Sequence, residues 1–310
     1  LATQGWIPTT DDDVTDAPYS GNLYGIFAYG SDGSATAVSN LVSSTGVVAS
    51  DTSGVGTARY KLRGASYGGD KGIFAYGNTG SVTAISNLVS NAGVVATDVT
   101  GVGTARYGPA ACEYGTDTAI FAYGYTTTYV SMSNLVSDAG VVATDVTGVG
   151  TDKKALAACS YGGDKGIFCY GEGTGGSGGG TLNARNLVSN AGVVAADVSG
   201  AGTIRADLAA CEYGYDKGIF GFGNPAGTGY LGVTNLVTNV GVVGTDVAAV
   251  GTARREIEAC DYGYDKGIFA FGTTGSLTAV SNLVSNAGVV AADVSGVGTA
   301  RISPGGCSYG

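Results

Sequence analysis

The chain has 310 residues, 15 of them basic and 25 acidic, so its net charge is −10 and its pI is about 4.3. Such a surface repels phosphate, which argues against nucleic acid as a partner, and no apolar run approaches the roughly 18 residues that span a membrane. Histidine is absent, which excludes imidazole-dependent catalysis and the common zinc sites. We therefore expect no enzyme, no cofactor and no metal site.

The N-terminal segment, residues 1–20, precedes the first copy of a repeat and is predicted to be a tail or linker. It contains the acidic stretch TDDDVTD at 10–16. A solvated tail is the preferred interpretation of this stretch, and a Ca²⁺ site is the alternative.

From residue 21 onward the chain repeats. Its Ile-Phe dipeptides begin at positions 26, 73, 120, 167, 219 and 268, and spacings near 50 residues are typical of solenoids and propellers. Glycine, asparagine, serine and aspartate punctuate segments rich in β-branched and aromatic residues, which predicts strands rather than helices. In the second copy the predicted strands are 64–68, 72–77, 82–90 and 93–99.

The predicted strands are apolar on both faces, so each sheet must be covered on both sides. Radially stacked four-stranded sheets meet that requirement, and we predict an all-β, six-bladed β-propeller of antiparallel blades over residues 21–310. The first copy lacks an initial strand and the chain ends on one, so the C-terminal strand should complete blade 1 and close the ring. The predicted blades are 22–51 with 301–310, 59–99, 106–146, 153–198, 205–247 and 254–294.

Each repeat junction carries an acid and a base eight residues apart. We interpret these residues as structural pairs between blades. A ring of cation sites on the aspartates is the alternative, although one carboxylate beside a guanidinium is a poor ligand set for a hard cation. The pairs are Asp51/Arg59, Asp98/Arg106, Asp145/Lys153, Asp197/Arg205, Asp246/Arg254 and Asp293/Arg301.

The six cysteines are predicted to be free and buried. Equivalent positions of a repeat array usually lie too far apart for a disulfide, and only Cys159 and Cys169 are placed to face each other across a hairpin. The glycine-rich stretch at 173–180 lacks the Gly-Lys-Ser/Thr ending of a phosphate loop and is interpreted as a flexible insertion. The cysteines at the shared repeat position are Cys112, Cys159, Cys211, Cys260 and Cys307.

The run from Arg106 through AACEYGTDTAIFAYG, NLVS and GVVATD resembles the kelch-type propeller repeat. It has an arginine before the inner strand, a glycine-bounded hairpin, an aromatic-Gly ending and two outer strands. The resemblance covers residues 21–310. The phrases GGDKGIFAYG and NLVSNAGVVATD are also similar to repeat proteins of tailed bacteriophages and marine microbial metagenomes, which implies an extracellular or virion-associated location.

Two sets of segments differ between copies, the loops from second to third strand and the segments leading into each first strand. The GGDKG hairpins and SNAGVV turns hardly change. The combination of one constant and one variable face indicates recognition through the variable face. The alternative is that the variable loops have changed because no function constrains their sequence. The candidate binding residues on this face are Tyr60, Lys61, Arg63, Tyr107, Tyr125, Tyr129, Lys154, Tyr230 and Arg255.

Two functions are consistent with these observations. The first is a non-catalytic binding module, an adhesin or receptor-recognition domain of a phage particle or cell surface that engages a glycan or protein. The alternative is a structural or decoration protein that assembles into a larger particle through its constant face. Tyrosine suits either ligand, because its ring offers flat apolar area beside a hydroxyl.

Overall fold

The computed structural model describes residues 22–176, 180–225 and 229–310, and its regular elements are β-strands. In these ranges no helix is long and apolar enough to cross a membrane. The strands are β1 Tyr24–Ser31, β2 Ala35–Val42, β3 Arg63–Tyr67, β4 Lys71–Ala75, β5 Ser86–Val89, β6 Ala110–Tyr114, β7 Thr118–Tyr125, β8 Tyr129–Val136, β9 Lys153–Lys154, β10 Ala157–Tyr161, β11 Lys165–Cys169, β12 Glu172–Gly176, β13 Arg185–Val188, β14 Ala209–Tyr213, β15 Lys217–Gly223, β16 Leu231–Val237, β17 Glu258–Tyr262, β18 Lys266–Ala270, β19 Ser281–Val284 and β20 Gly305–Tyr309.

Each repeat forms one antiparallel sheet of three strands, which confirms the all-β prediction. The sheet orders are β2-β1-β20, β3-β4-β5, β6-β7-β8, β10-β11-β13, β14-β15-β16 and β17-β18-β19, and β9 pairs with β12. We call β3, β6, β10, β14, β17 and β20 the first strands. Each contacts the next in this order, and β20 also contacts β3. The glycine-rich stretch predicted to be an insertion contributes to β12, and its residues 177–179 lie outside the described ranges.

The predicted fourth strand of each blade is not a regular strand. In the second repeat this segment is joined to β5 by the isolated bridges Val89–Val95 and Ser86–Val99 and by a hydrogen bond from the Ala96 amide to the Leu88 carbonyl at 2.8 Å. Between these bridges the Asn87 side chain donates to the Ala96 carbonyl at 2.9 Å and to Asp98 at 2.9 Å. The Asn87 amide therefore adds to a few backbone hydrogen bonds of a segment that is not a regular strand, and the prediction of four regular strands was wrong here.

The last strand of the chain pairs with the first. β20 lies antiparallel to β1, with Tyr24 opposite Tyr309 and Ala28 opposite Gly305. The Leu23 amide also donates to the Gly310 carbonyl at 2.8 Å. The C-terminal strand thus completes the sheet of the first repeat, as the sequence predicted.

The cysteines are free and buried, as predicted, and they pack between sheets. A side chain at Gly72 would collide with Cys307 Sγ, and Gly25, Gly166, Gly218 and Gly267 face cysteines in the same way. The second repeat has the smaller Ala65 in the cysteine position. The residue that packs with it in the next sheet is Ala119 rather than glycine. Volume is thus conserved across each junction, which is the condition for close packing.

Candidate binding surface at the variable loops

The two sets of variable segments lie side by side. In the third repeat the segment leading into β6 and the end of β7, where the variable loop begins, are joined by reciprocal backbone hydrogen bonds between Tyr107 and Tyr125, at 3.0 and 2.9 Å. Tyr60 and Asn78 are joined in the same way in the second repeat. We call the surface made by these segments the loop face. The surface made by the Gly68–Lys71 turn and its equivalents is the hairpin face.

A chain of backbone hydrogen bonds runs through the loop face. Each bond joins the segments that lead into two neighbouring first strands, at N···O distances of 2.8 to 3.0 Å, and the sixth bond returns to the starting residue. All six residues have left-handed backbone, a conformation that costs non-glycine residues about 1–2 kcal/mol each. We call this set the mouth ring, which in order is Lys61, Gly108, Ala155, Asp207, Glu256 and Ser303.

A cluster of three predicted tyrosines surrounds the Lys154 ammonium. Its Nζ lies 4.6 Å from the ring centroid of Tyr125, 5.3 Å from that of Tyr129 and 5.5 Å from that of Tyr107. Glu172 adds an ion pair to Lys154 at 3.7 Å and accepts a hydrogen bond from the Tyr129 hydroxyl. Burial and this contact with Glu172 raise the pKa of Tyr129 above its usual value. The cluster is therefore an ordered aromatic surface, fixed by a central cation.

Apart from Tyr60, whose backbone pairs with Asn78, the other predicted binding residues divide into three groups. Lys61 lies 5.5 Å from the Tyr107 ring centroid, at the edge of the tyrosine cluster. Arg63 is 8% exposed and pairs with Glu258 at 3.3 Å, so it lies below the surface. Arg255 lies 5.5 Å from the Tyr230 ring centroid, and this pair belongs to other repeats than the cluster. The structure thus brings part of the predicted set together in one cluster.

The predicted acid–base pairs have different partners from those expected. Arg106 Nη2 donates to Asn134 at 2.7 Å, and Asn134 in turn donates to Asp145 of the same repeat at 2.9 Å. Asp98, the predicted partner of Arg106, instead accepts a hydrogen bond from the Thr57 hydroxyl at 2.6 Å. The two residues are eight positions apart, and the chain between them carries their side chains into different repeats. The prediction of direct pairs between these residues was wrong.

The bases still connect neighbouring sheets, through aromatic rings. The Arg106 guanidinium lies 3.9 Å from the ring centroid of Tyr76 in the preceding sheet, while its Nε donates to the Tyr123 carbonyl at 2.7 Å. The same contact recurs at every junction. The stacked pairs are Arg59 on Tyr29, Arg106 on Tyr76, Lys153 on Tyr123, Arg205 on Tyr170, Arg254 on Phe222 and Arg301 on Phe271.

The aspartates act within their repeats. Hydrogen bonds from threonine and asparagine side chains, with help from the nearby base, outweigh desolvation and lower the pKa of Asp98. Asp145 and the other equivalent aspartates have lowered pKa values for the same reasons. Each carboxylate therefore fixes the outer segment of its sheet.

A group of acids at the opposite end of the first strands was not predicted. Glu113, Glu212 and Asp261 occupy the position that holds serine in the other three first strands. Burial and the neighbouring carboxylates raise the pKa of Glu113 to about 8, and burial raises that of Asp261 to about 7. The sequence could have revealed this group, because each of the three acids directly follows a cysteine of the repeat. No group of three or more possible metal ligands occurs in the described part of the chain.

Similarity to known proteins adds no identification. No protein-family model matches the chain, and no curated protein matches it either.

Proposed function

We propose that the six sheets are the blades of a closed β-propeller over residues 21–310, with the predicted blade boundaries. Three cyclic patterns support this proposal: the contacts between first strands, the stacking of each base on the preceding sheet, and the hydrogen bonds of the mouth ring. Each pattern visits every repeat once and returns to its start. The hydrogen-bonded pairing of β20 with β1 joins the last strand to the first sheet, which such a closure needs.

Truncation after Ala300 tests the closure. Removing β20 exposes the edge of β1 and the packing partners of Cys307 and Tyr309, so we expect loss of cooperative unfolding. The control is a permuted chain in which residues 301–310 precede Asn22 through the Gly68–Lys71 turn sequence, which keeps the strand and changes only its connection. A truncated protein with unchanged thermal unfolding would contradict the closed ring.

We further propose that the protein is a non-catalytic binding module that uses the loop face. The observation that carries this proposal is the tyrosine cluster around Lys154, which presents aromatic rings beside a carboxylate and an ammonium. Rings and hydrogen-bonding groups in one place suit a glycan or a protein surface. An adhesin or receptor-recognition role on a phage particle or cell surface fits this chemistry.

A glycan array tests the sugar-binding form of this proposal. The wild-type chain is compared with a variant carrying Tyr107→Ala, Tyr125→Ala and Tyr129→Ala, and with Tyr264→Ala on the hairpin face as a matched control. We expect specific binding by wild type and control only. Thermal unfolding of all three proteins separates loss of binding from loss of fold. Binding by the triple variant at wild-type strength would show that the glycan site lies outside the tyrosine cluster.

A structural or decoration role is the second candidate, and a periodic set of exposed valines favours it. Val94 is 63% exposed and follows the turn whose Asn91 donates to Asp70 of the hairpin face at 3.1 Å. Equivalent valines recur around the molecule. Sedimentation of wild type and a Val94→Thr, Val141→Thr, Val193→Thr variant tests this role, and association that the substitutions leave unchanged would contradict it. The exposed valines are Val47, Val94, Val141, Val193, Val242 and Val289.

A further inference from the structure

The mouth ring opens into a pocket that both basic and acidic residues line. The bases Lys61 and Arg63 belong to the second repeat, and the acids Asp207 and Glu256 belong to the fifth and sixth. In the order of the hydrogen bonds, two residues separate Lys61 from Asp207 in either direction. The two residues therefore occupy opposite positions of the mouth ring.

Most charged residues that line this pocket already have partners. Arg63 pairs with Glu258 at 3.3 Å, and Lys154 pairs with Glu172 at 3.7 Å. Glu256 accepts a hydrogen bond from the Ser303 hydroxyl at 3.0 Å. These groups hold one another in place and are satisfied without a ligand.

Lys61 and Asp207 are the exceptions among the charged pocket residues that the structure describes. Neither side chain has a hydrogen bond or an ion pair, and the Lys61 ammonium lies 5.5 Å from the centroid of the Tyr107 ring. Both residues also have left-handed backbone, with φ of 54° and 53°. Gly108 shows that glycine fits the same ring position, so the fold does not require these two side chains.

Burial and repulsion from Glu256 raise the pKa of Asp207, while Lys61, Arg63 and Arg255 act in the opposite direction. A bound cation would offset both contributions, because it would attract the charged Asp207 carboxylate. Lys61 has no carboxylate within ion-pair distance, so a bound anion would give its ammonium a partner. One small molecule that carries both charges would satisfy the two sides at once.

We propose that this pocket binds a small zwitterion whose carboxylate contacts Lys61 and whose ammonium contacts Asp207, as a linear ω-amino acid would. This inference rests on the proposed binding function, because the pocket opens on the loop face. It names a different ligand class from the glycan or protein surface that the tyrosine cluster fits.

Calorimetric titration of the full chain with 5-aminovalerate and 6-aminohexanoate tests the proposal, with pentylamine and pentanoate as single-charge controls. We expect at least one zwitterion to bind tenfold more tightly than either control. Lys61→Gln should reduce its affinity to that of pentylamine, and Asp207→Asn to that of pentanoate. Lys217→Met and Asp216→Asn, which remove a charged pair on the hairpin face, should leave the affinity unchanged.

Zwitterions that bind no better than the single-charge controls would overturn the proposal, as would Lys61 and Asp207 variants with wild-type affinity. The glycan array gives an independent result. Glycan binding without zwitterion binding would support the binding-module proposal and contradict the proposal of a zwitterion ligand. Zwitterion binding without glycan binding would support the zwitterion-binding pocket and contradict the sugar-binding role.

Discussion

Two positions of the same chain segment, two residues apart, behave in opposite ways across the repeats. The first is basic in every copy, and its side chain is fully buried at Arg106 and at its five equivalents. The second, which forms the mouth ring, holds a different residue in each copy, from Gly108 to Glu256. Both positions lie at junctions between sheets, so proximity to the junction does not explain the difference.

The difference lies in which atoms hold the junction. At the first position the side chain makes the contacts, stacking on one sheet and donating hydrogen bonds to the next, so its identity is fixed by geometry. In the mouth ring the backbone amide and carbonyl make the contacts. Any residue that tolerates left-handed backbone can occupy such a position, and its side chain is available for recognition.

Loss of a stacked base should be the most damaging single change. Arg106→Ala leaves the Asn134 and Tyr123 acceptors without their donor and opens a cavity beside Tyr76, so we expect a loss of about 3–5 kcal/mol in the free energy of unfolding. Chemical denaturation measures it. Arg106→Lys is the matched control, because Lys153 fills this position in the fourth repeat and donates to Asn186 at 2.8 Å. Equal losses in the two variants would contradict the role of the cation.

The acids at the other end of the first strands should make stability depend on pH. Their raised pKa values, about 8 for Glu113 and about 7 for Asp261, mean that the folded state binds more protons than the unfolded state above pH 4. Stability from these groups is therefore complete below about pH 4 and is lost as pH rises to 8. We expect Glu113→Gln with Asp261→Asn to raise the free energy of unfolding by roughly 2–4 kcal/mol at pH 8 and to leave it unchanged at pH 4. An equal gain at both pH values would exclude ionisation as the cause.

The compensated junction between Ala65 and Ala119 allows a sharper test of packing. Ala65→Cys alone should cost about 1–3 kcal/mol, because the larger side chain meets the Ala119 methyl group. Adding Ala119→Gly should restore most of the loss by recreating the cysteine–glycine pair of the other junctions. Thermal unfolding of the two single variants and the double variant gives the coupling. Additive losses of stability would show that the side chains at positions 65 and 119 do not pack against each other.

Periodicity in the sequence was sufficient to predict the strand order and the completion of the first sheet by the last strand, because both follow from where each repeat begins and ends. It also predicted that Tyr107, Tyr125 and Lys154 belong to one face. It did not predict the partners of Arg106, because a spacing of eight residues says nothing about which sheet each side chain reaches. The unpaired state of Asp207 depends on distances between repeats, which no pattern within one repeat contains.

The smallest expected effects lie in the mouth ring itself. A Cβ added at Gly108 would have only the Ala155 amide nitrogen at 3.4 Å and Lys154 Cβ at 3.6 Å as neighbours, which are ordinary contacts. Gly108→Ala should therefore cost about 1 kcal/mol, through left-handed backbone alone. Ala155→Gly, with φ of 54° in the parent, should gain up to about 1 kcal/mol for the same reason.

Measured together by denaturation, these two variants decide whether the mouth ring is held by its backbone. Changes of opposite sign and similar size would show that side chains at this position add little to stability and are available for ligand contacts. A loss in both variants would instead mean that the Ala155 methyl group contributes packing. Side chains would then contribute to stability at both positions, although less in the mouth ring than at the buried bases. The mouth ring would be part of the structural junction rather than a surface free to vary.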